Sequence, residues 1–276
     1  MSIILDGKKL ADKITEKLKA EVDKMDNKPS LAVVLVGNNP ASKIYVKNKT
    51  QRAKEIGINS EIIEFSEDIS QSWLENEIES LAKNDDIDAI LVQLPLPNGL
   101  APAKVIEKIT PQKDVDGFHP LNIGGLVAGR GFYCLPCTPL GIMELLKEYN
   151  ISVAGKNVVI VGRSNIVGKP LAAFMTNADA TVTLCHSKTQ NLKEITKNAD
   201  ILVSAIGKPN YIKKDFVKYG AVVIDVGINR LPDGKITGDV DYKNVIEKTS
   251  YITPVPGGVG PMTIAMLMKN TIDLAK

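Results

Sequence analysis

Short apolar runs alternate with amphipathic stretches along most of the chain. Apolar runs bounded by turn residues indicate buried strands, whereas apolar residues at every third or fourth position indicate helices. In the first half this pattern predicts three strands, Leu31–Val36, Glu61–Phe65 and Ala89–Gln93. The helices predicted in this half are Asp6–Lys24, Pro40 to about Ile56, Gln71–Ala82 and Ala103–Ile109.

The second half repeats the alternation. A glycine-rich stretch from Asn122 to Cys137 has no clear period and receives no assignment. Strands that alternate with helices are typical of parallel α/β sheets. We therefore predict an α/β protein of two domains, with a boundary between Pro120 and Gly155 and a doubly wound, Rossmann-like parallel sheet in the second domain. The strands predicted there are Val158–Val161, Ala180–Cys185, Ile201–Ala205, Ala221–Val226 and Tyr251–Val255, and the helices are Thr138 to about Tyr149 and Pro261–Ala275.

Composition and charge exclude several classes of protein. Of the 276 residues, 44% are hydrophobic and 24% are charged, which is typical of a globular protein. The net charge is +2 and aromatic residues are few, so nucleic acid is not an expected partner. No apolar run reaches the roughly 18 residues that a membrane span needs, and the first residues lack a signal-peptide pattern. We expect a cytoplasmic protein without a membrane partner.

Three cysteines fit a reducing compartment. Cys134 and Cys137 form one C-x-x-C pair, but no second pair follows at zinc spacing, and Cys185 with His186 is too isolated to complete a site. We therefore expect no metal and assign these cysteines to packing near a turn.

The segment from Val158 to Pro170 predicts a dinucleotide site. A buried strand enters a turn with glycines at 162 and 168 and serine at 164, and a helix follows. Backbone N–H groups and the positive end of the helix dipole then face a small concavity that suits a pyrophosphate. The spacing departs from the common G-x-G-x-x-G fingerprint, because serine replaces the second glycine and one residue is added.

Residue types near this turn favour NADP over NAD. NAD-binding units place a carboxylate at the end of the second strand to bond the ribose 2′-hydroxyl. Here that strand ends in Leu184–Lys188, which has no carboxylate but contains Ser187. Arg163 in the turn has a guanidinium that can fork onto a phosphate. The alternative is that Arg163 is solvated and Ser187 only caps a helix.

Two segments of the first half carry candidate catalytic groups. Tyr45 and Lys49 stand four residues apart on a predicted helix and share one face. A partly desolvated lysine amine can act as acid or base near neutral pH, although several lysines crowd this helix and solvation is the alternative. Gln93 ends a predicted parallel strand, where ligands of open α/β sheets bind. A hydrogen bond to nearby backbone is the alternative there.

Two turn-rich segments complete the candidates. Asp114 and Asp116 are spaced like the first two ligands of a calcium-binding loop, but the remaining ligands of such a loop are absent. Aspartates in such places usually cap turns, although one carboxylate could hold the amino-pyrimidine edge of a pterin by two parallel bonds. The glycine-rich run Pro254–Thr263 allows either close approach to a flat ligand or a tight connection between strand and helix.

Taken together, these segments closely resemble the bifunctional methylenetetrahydrofolate dehydrogenase/methenyltetrahydrofolate cyclohydrolase family. The similar blocks appear in the family's order and span nearly the whole chain. They are Ser42–Lys49, Val92–Pro97, Lys113–His119, Pro136–Pro139, Gly162–Pro170 and Pro256–Thr263.

The resemblance implies two α/β domains that flank a cleft holding the folate. Residues 1–120 with 260–276 would form the catalytic folate-binding domain, and residues 121–259 the NADP-binding domain. It implies oxidation of methylenetetrahydrofolate with NADP, then hydrolysis to 10-formyltetrahydrofolate, which serves one-carbon metabolism and purine biosynthesis. It also implies a homodimer.

The same resemblance gives residue roles. Tyr45 would stack on the aminobenzoyl ring, Lys49 would be the catalytic lysine, Gln93 would bond and tune it, and Asp116 would anchor the pterin. The other substrate positions would be Val92, Leu94, Pro256, Gly257, Gly258, Gly260 and Thr263, and the cofactor positions would be Gly162, Arg163, Ser164, Ile166, Gly168, Ser187 and Ile228.

Two other functions remain open at this stage. A shikimate-dehydrogenase-like NADP enzyme also joins an α/β substrate domain to a Rossmann domain, but it would not need Gln93 or the Pro256–Thr263 loop. A folate- or nucleotide-binding module without turnover would not need Tyr45, Lys49, Gln93 and Asp116 together.

Overall fold

The computed structural model describes residues 2–276. Its contacts divide the chain into two compact units. The six-stranded unit comprises the residues up to Asp12 together with Pro136–Thr263, and the three-stranded unit comprises Lys13–Leu135 and Ile264–Lys276.

The three-stranded unit contains a parallel sheet of three strands. The central strand β2 (Ser30–Val36) pairs with β3 (Asn59–Phe65) on one side and β4 (Ala89–Val92) on the other. Almost every residue of β2 and β4 is buried, as expected of parallel strands covered on both faces. The helices with residues in this unit are α1 (Gly7–Val22), α2 (Pro40–Ile56), α3 (Gln71–Lys83), α4 (Pro102–Ile106), α5 (Pro120–Ala128) and α10 (Val259–Leu274).

Local signals fix the ends of α2 as the sequence predicts. The side chain of Asn39 accepts hydrogen bonds from the backbone N–H groups of Ala41 and Ser42, and Pro40 begins the helix. Gly57 ends the helix in the left-handed conformation, with a φ of 94°. These caps hold α2, and therefore Tyr45 and Lys49, at a defined position after β2.

Within the described residues, the six-stranded unit contains eight strands and four α-helices of its own. The strands are β1 (Ile3–Ile4), β5 (Asn157–Val161), β6 (Thr181–Cys185), β7 (Ile201–Ser204), β8 (Ala221–Asp225), β9 (Asn229–Arg230), β10 (Ile236–Thr237) and β11 (Thr249–Ile252). The helices lying wholly in this unit are α6 (Cys137–Glu148), α7 (Gly168–Asn177), α8 (Leu192–Thr196) and α9 (Tyr242–Val245). Six of the strands form a wholly parallel sheet in the order β1-β11-β8-β7-β5-β6, and the other two form a short antiparallel hairpin, β9–β10, after β8.

The α/β class and the parallel, doubly wound sheet are confirmed, with several local corrections. The unassigned stretch after Asn122 contains most of α5. The last strand was predicted at Tyr251–Val255, but β11 ends at Ile252, because the following prolines lack the N–H that a ladder requires. The two-residue strand β1, the hairpin and the short helices α8 and α9 were not predicted, since each is too short to show a period. None of the described helices combines the length and apolar character that a membrane span requires.

Candidate active site

The order of the six-stranded sheet places a switch point between β5 and β7. The chain runs from β5 to β6 on one side of β5 and then crosses to β7 on its other side, so these two successive connections lead in opposite directions. Open α/β sheets bind ligands outside the carboxyl ends of the strands at such a point. The turn that begins at Gly162 directly follows β5 and therefore lies there.

Close packing restricts the turn to glycine at two positions. Gly162 has a φ of 124°, and a Cβ added to it would lie 2.2 Å from the carbonyl oxygen of Ala205. A Cβ on Gly168 would lie 1.9 Å from the carbonyl oxygen of Gly162. The Ser164 hydroxyl accepts hydrogen bonds from the N–H groups of Val167, at 3.2 Å, and Gly168, at 3.4 Å. The turn is thus a tight backbone cradle at the start of α7, which suits a pyrophosphate.

The other predicted cofactor residues surround this cradle at the same edge. Val161, the last residue of β5, pairs with Cys185, the last residue of β6. Arg163 and Ser187 each lie two residues beyond these neighbouring strand ends. Both side chains are exposed, as is Ile166 in the turn. Ile228, which follows β8, is 46% exposed. The turn after β5 therefore offers the guanidinium of Arg163, and the segment after β6 offers the hydroxyl of Ser187. Residues 184–188, around the end of β6, contain no carboxylate.

In the three-stranded unit, the structure brings Lys49 and Gln93 together. The Lys49 Nζ donates a hydrogen bond to Gln93 Oε1 at 3.1 Å. The Gln93 Nε2 donates to the Leu94 carbonyl oxygen at 2.6 Å, which turns Oε1 towards the lysine. Of the lysines on α2, Lys49 is half-buried whereas the other three, Lys43, Lys47 and Lys54, are exposed. The solvated alternative therefore fits those three better than Lys49.

Tyr45 lies on α2 one turn before Lys49 and is 37% exposed. Val92 is buried at the end of β4, and Leu94 is half-buried just beyond Gln93. The Leu94–Pro95 peptide bond is cis. The predicted substrate residues of this unit thus cluster around the end of β4 and the exposed side of α2.

The Asp114–Asp116 turn lies beside β4. Asp114 forms a parallel bridge with Ile90, so Asp116 lies at the strand end that carries Gln93. Asp114 is buried and accepts hydrogen bonds from the His119 N–H at 2.7 Å and the Asn122 Nδ2 at 2.9 Å. Burial raises the pKa of Asp114, and these hydrogen bonds oppose the shift. Asp114 therefore holds the turn, and the half-buried Asp116 is the carboxylate nearer the surface.

Two buried side chains that sequence reasoning missed also hold this turn. The Asn270 Nδ2 donates to the carbonyl oxygens of Val115, at 3.0 Å, and Leu135, at 2.9 Å. The Cys134 Sγ donates to the same Val115 carbonyl at 3.3 Å, and burial raises the pKa of this thiol well above its usual value. Asn270 could have been found in the sequence as a polar residue within the apolar face of the last helix, because a buried polar side chain usually has a specific partner.

The predicted substrate segment Pro256–Thr263 is tightly packed within the six-stranded unit. A Cβ on Gly7 would lie 1.9 Å from the Gly258 carbonyl oxygen, and the Lys8 N–H donates to the Gly257 carbonyl at 2.9 Å. The Thr263 and Thr138 hydroxyls lie 3.0 Å apart. Gly260 lies near Ile228, whose Cδ1 would be 3.5 Å from an added Cβ. The segment is a close connection between β11 and α10 and also borders one predicted cofactor position.

A cavity of about 330 Å³ lies elsewhere in the six-stranded unit, near the amino ends of its strands. Its charged and aromatic lining residues are Lys156, Asp200, Lys218 and Tyr219, and no predicted site residue lines it. The predicted cofactor turn after β5 lies at the opposite, carboxyl edge of the sheet. Within residues 2–276, no three His, Cys, Asp or Glu side chains converge as metal ligands do.

Two family profiles match the chain. The catalytic-domain profile of tetrahydrofolate dehydrogenase/cyclohydrolase matches residues 5–116, and the NAD(P)-binding-domain profile matches residues 136–276. The chain is 56% identical to the bifunctional protein FolD of Campylobacter hominis, covering 99% of this chain and 97% of the relative. It is 53% identical to the bifunctional protein FolD of Bacillus anthracis, covering 100% of this chain and 97% of the relative.

Solved structures agree with these matches. The bifunctional enzyme FolD from Campylobacter jejuni superposes with a TM-score of 0.96 at 51% identity, covering 100% of this chain and 99% of that one. The Trypanosoma brucei dehydrogenase-cyclohydrolase, solved with NADP and an inhibitor, gives a TM-score of 0.94 at 36% identity, covering 99% and 97%. The chain belongs to the tetrahydrofolate dehydrogenase/cyclohydrolase family.

Proposed function

We propose that this protein oxidises methylenetetrahydrofolate with NADP and then hydrolyses the methenyl product to 10-formyltetrahydrofolate. The hydrogen bond between Lys49 and Gln93 is the observation that carries this proposal, because it holds an amine at the end of a parallel strand. We assign the folate chemistry to residues 1–120 with 260–276 and NADP binding to residues 121–259. The two family profiles support this order along the chain.

The turn after β5 would hold the dinucleotide. Gly162 and Gly168 let the turn pack against the Ala205 carbonyl and against itself, and Ser164 shapes the turn from within. Arg163 would clamp the 2′-phosphate with Ser187 beside it, while Ile166 and Ile228 would line the cofactor with apolar surface. When bound, NADP supplies the hydride acceptor, and the protein contributes mainly orientation.

Hydrolysis needs proton transfers that Lys49 can perform. Water adds to the cationic methenyl carbon and loses one proton to the Lys49 amine, which leaves a hydroxyl on that carbon. The hydroxyl then loses its proton to solvent as the formyl C=O bond forms and the carbon–nitrogen bond breaks, and the Lys49 ammonium gives its proton to the departing nitrogen. Gln93 fixes the position of this amine through Oε1, while its own Nε2 is held by Leu94.

The remaining residues would bind the folate. Tyr45 offers an aromatic face one turn from Lys49, which suits stacking on the aminobenzoyl ring. Asp116 would accept two parallel hydrogen bonds from the pterin edge. Val92 and Leu94 would flank the ring, and the predicted substrate segment Pro256–Thr263 would supply Pro256, Gly257, Gly258, Gly260 and Thr263.

The alternative dehydrogenase is less well supported. A shikimate dehydrogenase from Aquifex aeolicus superposes with a TM-score of 0.54 at 14% identity, a likeness of fold alone. The contact between Lys49 and Gln93 favours turnover over a binding module. We further propose a homodimer, which the family resemblance implies, and a location in the cytoplasm, which the sequence predicts. Sedimentation analysis of the purified chain tests the dimer.

A spectrophotometric assay tests the proposed function. The purified chain is mixed with methylenetetrahydrofolate and either NADP or NAD, and the reduced cofactor and the methenyl compound are followed together. We expect reduction of NADP followed by loss of the methenyl signal. Reduction driven by shikimate but not by the folate would overturn the proposal, as would folate binding without any turnover.

A further inference from the structure

We propose that Asp239 is a positioning residue for the NADP site, an inference that rests on the proposed function. Asp239 is fully buried, at 0% exposure, and lies just after the hairpin β9–β10. It belongs to none of the sequence blocks that resemble the family. Its carboxylate nevertheless ties together the segments that follow β7 and β8 at the carboxyl edge of the sheet.

Five donors surround the Asp239 carboxylate. Three are consecutive backbone N–H groups of the loop after β7, at 2.8 Å from Ile206, 3.3 Å from Gly207 and 2.9 Å from Lys208. The Ser204 hydroxyl donates at 3.2 Å and the Asn229 Nδ2 at 3.0 Å. A carboxylate accepts about four hydrogen bonds at its lone pairs, so Asp239 is saturated.

A second buried carboxylate fixes Asp239 itself. Asp225, at the end of β8, accepts hydrogen bonds from the N–H groups of Asp239 and Val240, each at 2.9 Å. It also accepts from the Gly227 N–H at 2.9 Å. Asp225 therefore binds the segment after the hairpin to the turn after β8.

Two glycines make room for this pair. A Cβ on Gly238 would lie 1.8 Å from Asp225 Oδ2, and a Cβ on Gly227 would lie 2.3 Å from Asp239 Oδ1. Backbone can therefore approach the carboxylates closely only because both residues are glycine. The two carboxylates and the two glycines are therefore closely packed together at the carboxyl edge of the sheet.

The segments held by Asp239 are those that border the cofactor cradle. Ala205, directly before the loop at 206–208, packs its carbonyl against Gly162. Ile228, a predicted cofactor position, lies between Gly227 and Asn229, which contact the two carboxylates. Loss of the Asp239 carboxylate would leave three backbone N–H groups without their acceptor and would free both segments.

Asp239→Asn tests the inference through the protein's two activities. Methenyl hydrolysis requires no NADP, whereas the oxidation does, so the oxidation alone reports on the cofactor site. We expect the KM for NADP to rise roughly tenfold or more, because the asparagine amide group replaces one carboxylate oxygen and leaves buried donors without an acceptor. The rate of methenyl hydrolysis should stay within about twofold of the parent, a result that general unfolding would not give.

Two further variants keep the test decisive. Asp200→Asn removes an aspartate at the opposite edge of the same sheet, where Asp200 binds Lys218 and the Asn157 N–H, and it should leave the KM for NADP unchanged. If Asp239→Asn does not fold, Asn229→Ala removes one donor only and should still raise the KM for NADP a few-fold.

A parent protein that never reduces NADP would refute the proposed function. If the parent does reduce NADP, an unchanged KM for NADP in Asp239→Asn would refute the positioning role alone. Where Asp239→Asn does not fold, an unchanged KM for NADP in Asn229→Ala would do the same. An equal rise in Asp200→Asn would also refute it.

Discussion

The amine of Lys49 lies 3.1 Å from the side-chain oxygen of Gln93, although 44 residues separate the two in the chain. The contact joins a capped helix to the end of a buried strand. The glutamine amide nitrogen is already bound to the Leu94 carbonyl, so its oxygen cannot turn away from Lys49 without losing that bond. The position of the Lys49 amine is therefore set by the end of β4 as well as by α2, which carries the lysine.

Gln93→Met should slow methenyl hydrolysis while the protein stays folded. Methionine fills a similar volume but accepts no comparable hydrogen bond, so the Lys49 amine loses its fixed position. We expect the kcat of hydrolysis to fall roughly tenfold to a hundredfold. Gln51→Met is the matched control, because Gln51 is an exposed residue of α2 whose side chain donates to Glu55 and lies away from Gln93 in the chain. Equal rates in the two variants would show that Gln93 does not act on the lysine.

Arg163→Ala should separate the two nicotinamide cofactors. The guanidinium is exposed at the cradle edge, where it can bind the 2′-phosphate that only NADP carries. We expect the KM for NADP to rise roughly tenfold or more and the KM for NAD to change little. Lys169→Ala, which removes a cation of the same turn bonded to Asn165, is the control. Equal increases for both cofactors would contradict the phosphate clamp.

Gly162→Ala should destabilise the six-stranded unit and abolish NADP binding. The new methyl group would collide with the Ala205 carbonyl, and the alanine backbone would also have to adopt a positive φ. Gly155→Ala separates these two effects, because Gly155 has a φ of 71° but no atom within 4 Å of an added Cβ. In urea unfolding, we expect the Gly155 variant to lose about 1–2 kcal/mol and the Gly162 variant to lose more. Similar losses would mean that the close approach is not limiting.

The Asp225 carboxyl should titrate far above an ordinary aspartate. Burial raises its pKa from 3.8 to about 6, against the opposing effect of three backbone N–H groups. Between pH 3.8 and about 6 the folded state then binds more protons than the unfolded state, so this group's contribution to stability falls as the pH rises through that window. The total change is about 3 kcal/mol.

Carbon-detected NMR of the aspartate carboxyls measures this directly. Asp241 is the internal reference, since its hydrogen bond from Asn244 lowers its pKa below the usual value. A midpoint for Asp225 at or below 3.8, the ordinary aspartate value, would contradict the assigned burial cost.

Much of this architecture was predictable because it depends on local signals. The caps of α2 and the apolar run of β2 predict their elements from a few adjacent residues, and the turn after β5 has its own glycines. The candidate residues at strand ends follow from one topological rule. The predicted Lys49, Gln93 and Asp116 therefore lie at the end of the sheet where that rule expects ligands.

The supporting side chains were not predictable in this way. Asn270 meets the Val115 carbonyl across 155 residues of chain, and Asp239 meets the Ile206 N–H across 33. Such contacts depend on tertiary packing, and a single buried polar residue does not show which backbone group it will bind. The tight packing around Gly227 and Gly238 was likewise invisible, because glycine also occurs in open turns.

The central claim is that Lys49 carries out the hydrolytic step, and the Lys49→Met variant tests it most directly. The measurement follows the methenyl signal over time after methenyltetrahydrofolate is added to this variant, to the parent and to Lys47→Met, which alters an exposed lysine of the same helix. We predict a loss of roughly 10²–10⁴-fold in Lys49→Met alone, with the thermal unfolding midpoint preserved. Hydrolysis by Lys49→Met at the parent rate would contradict the account.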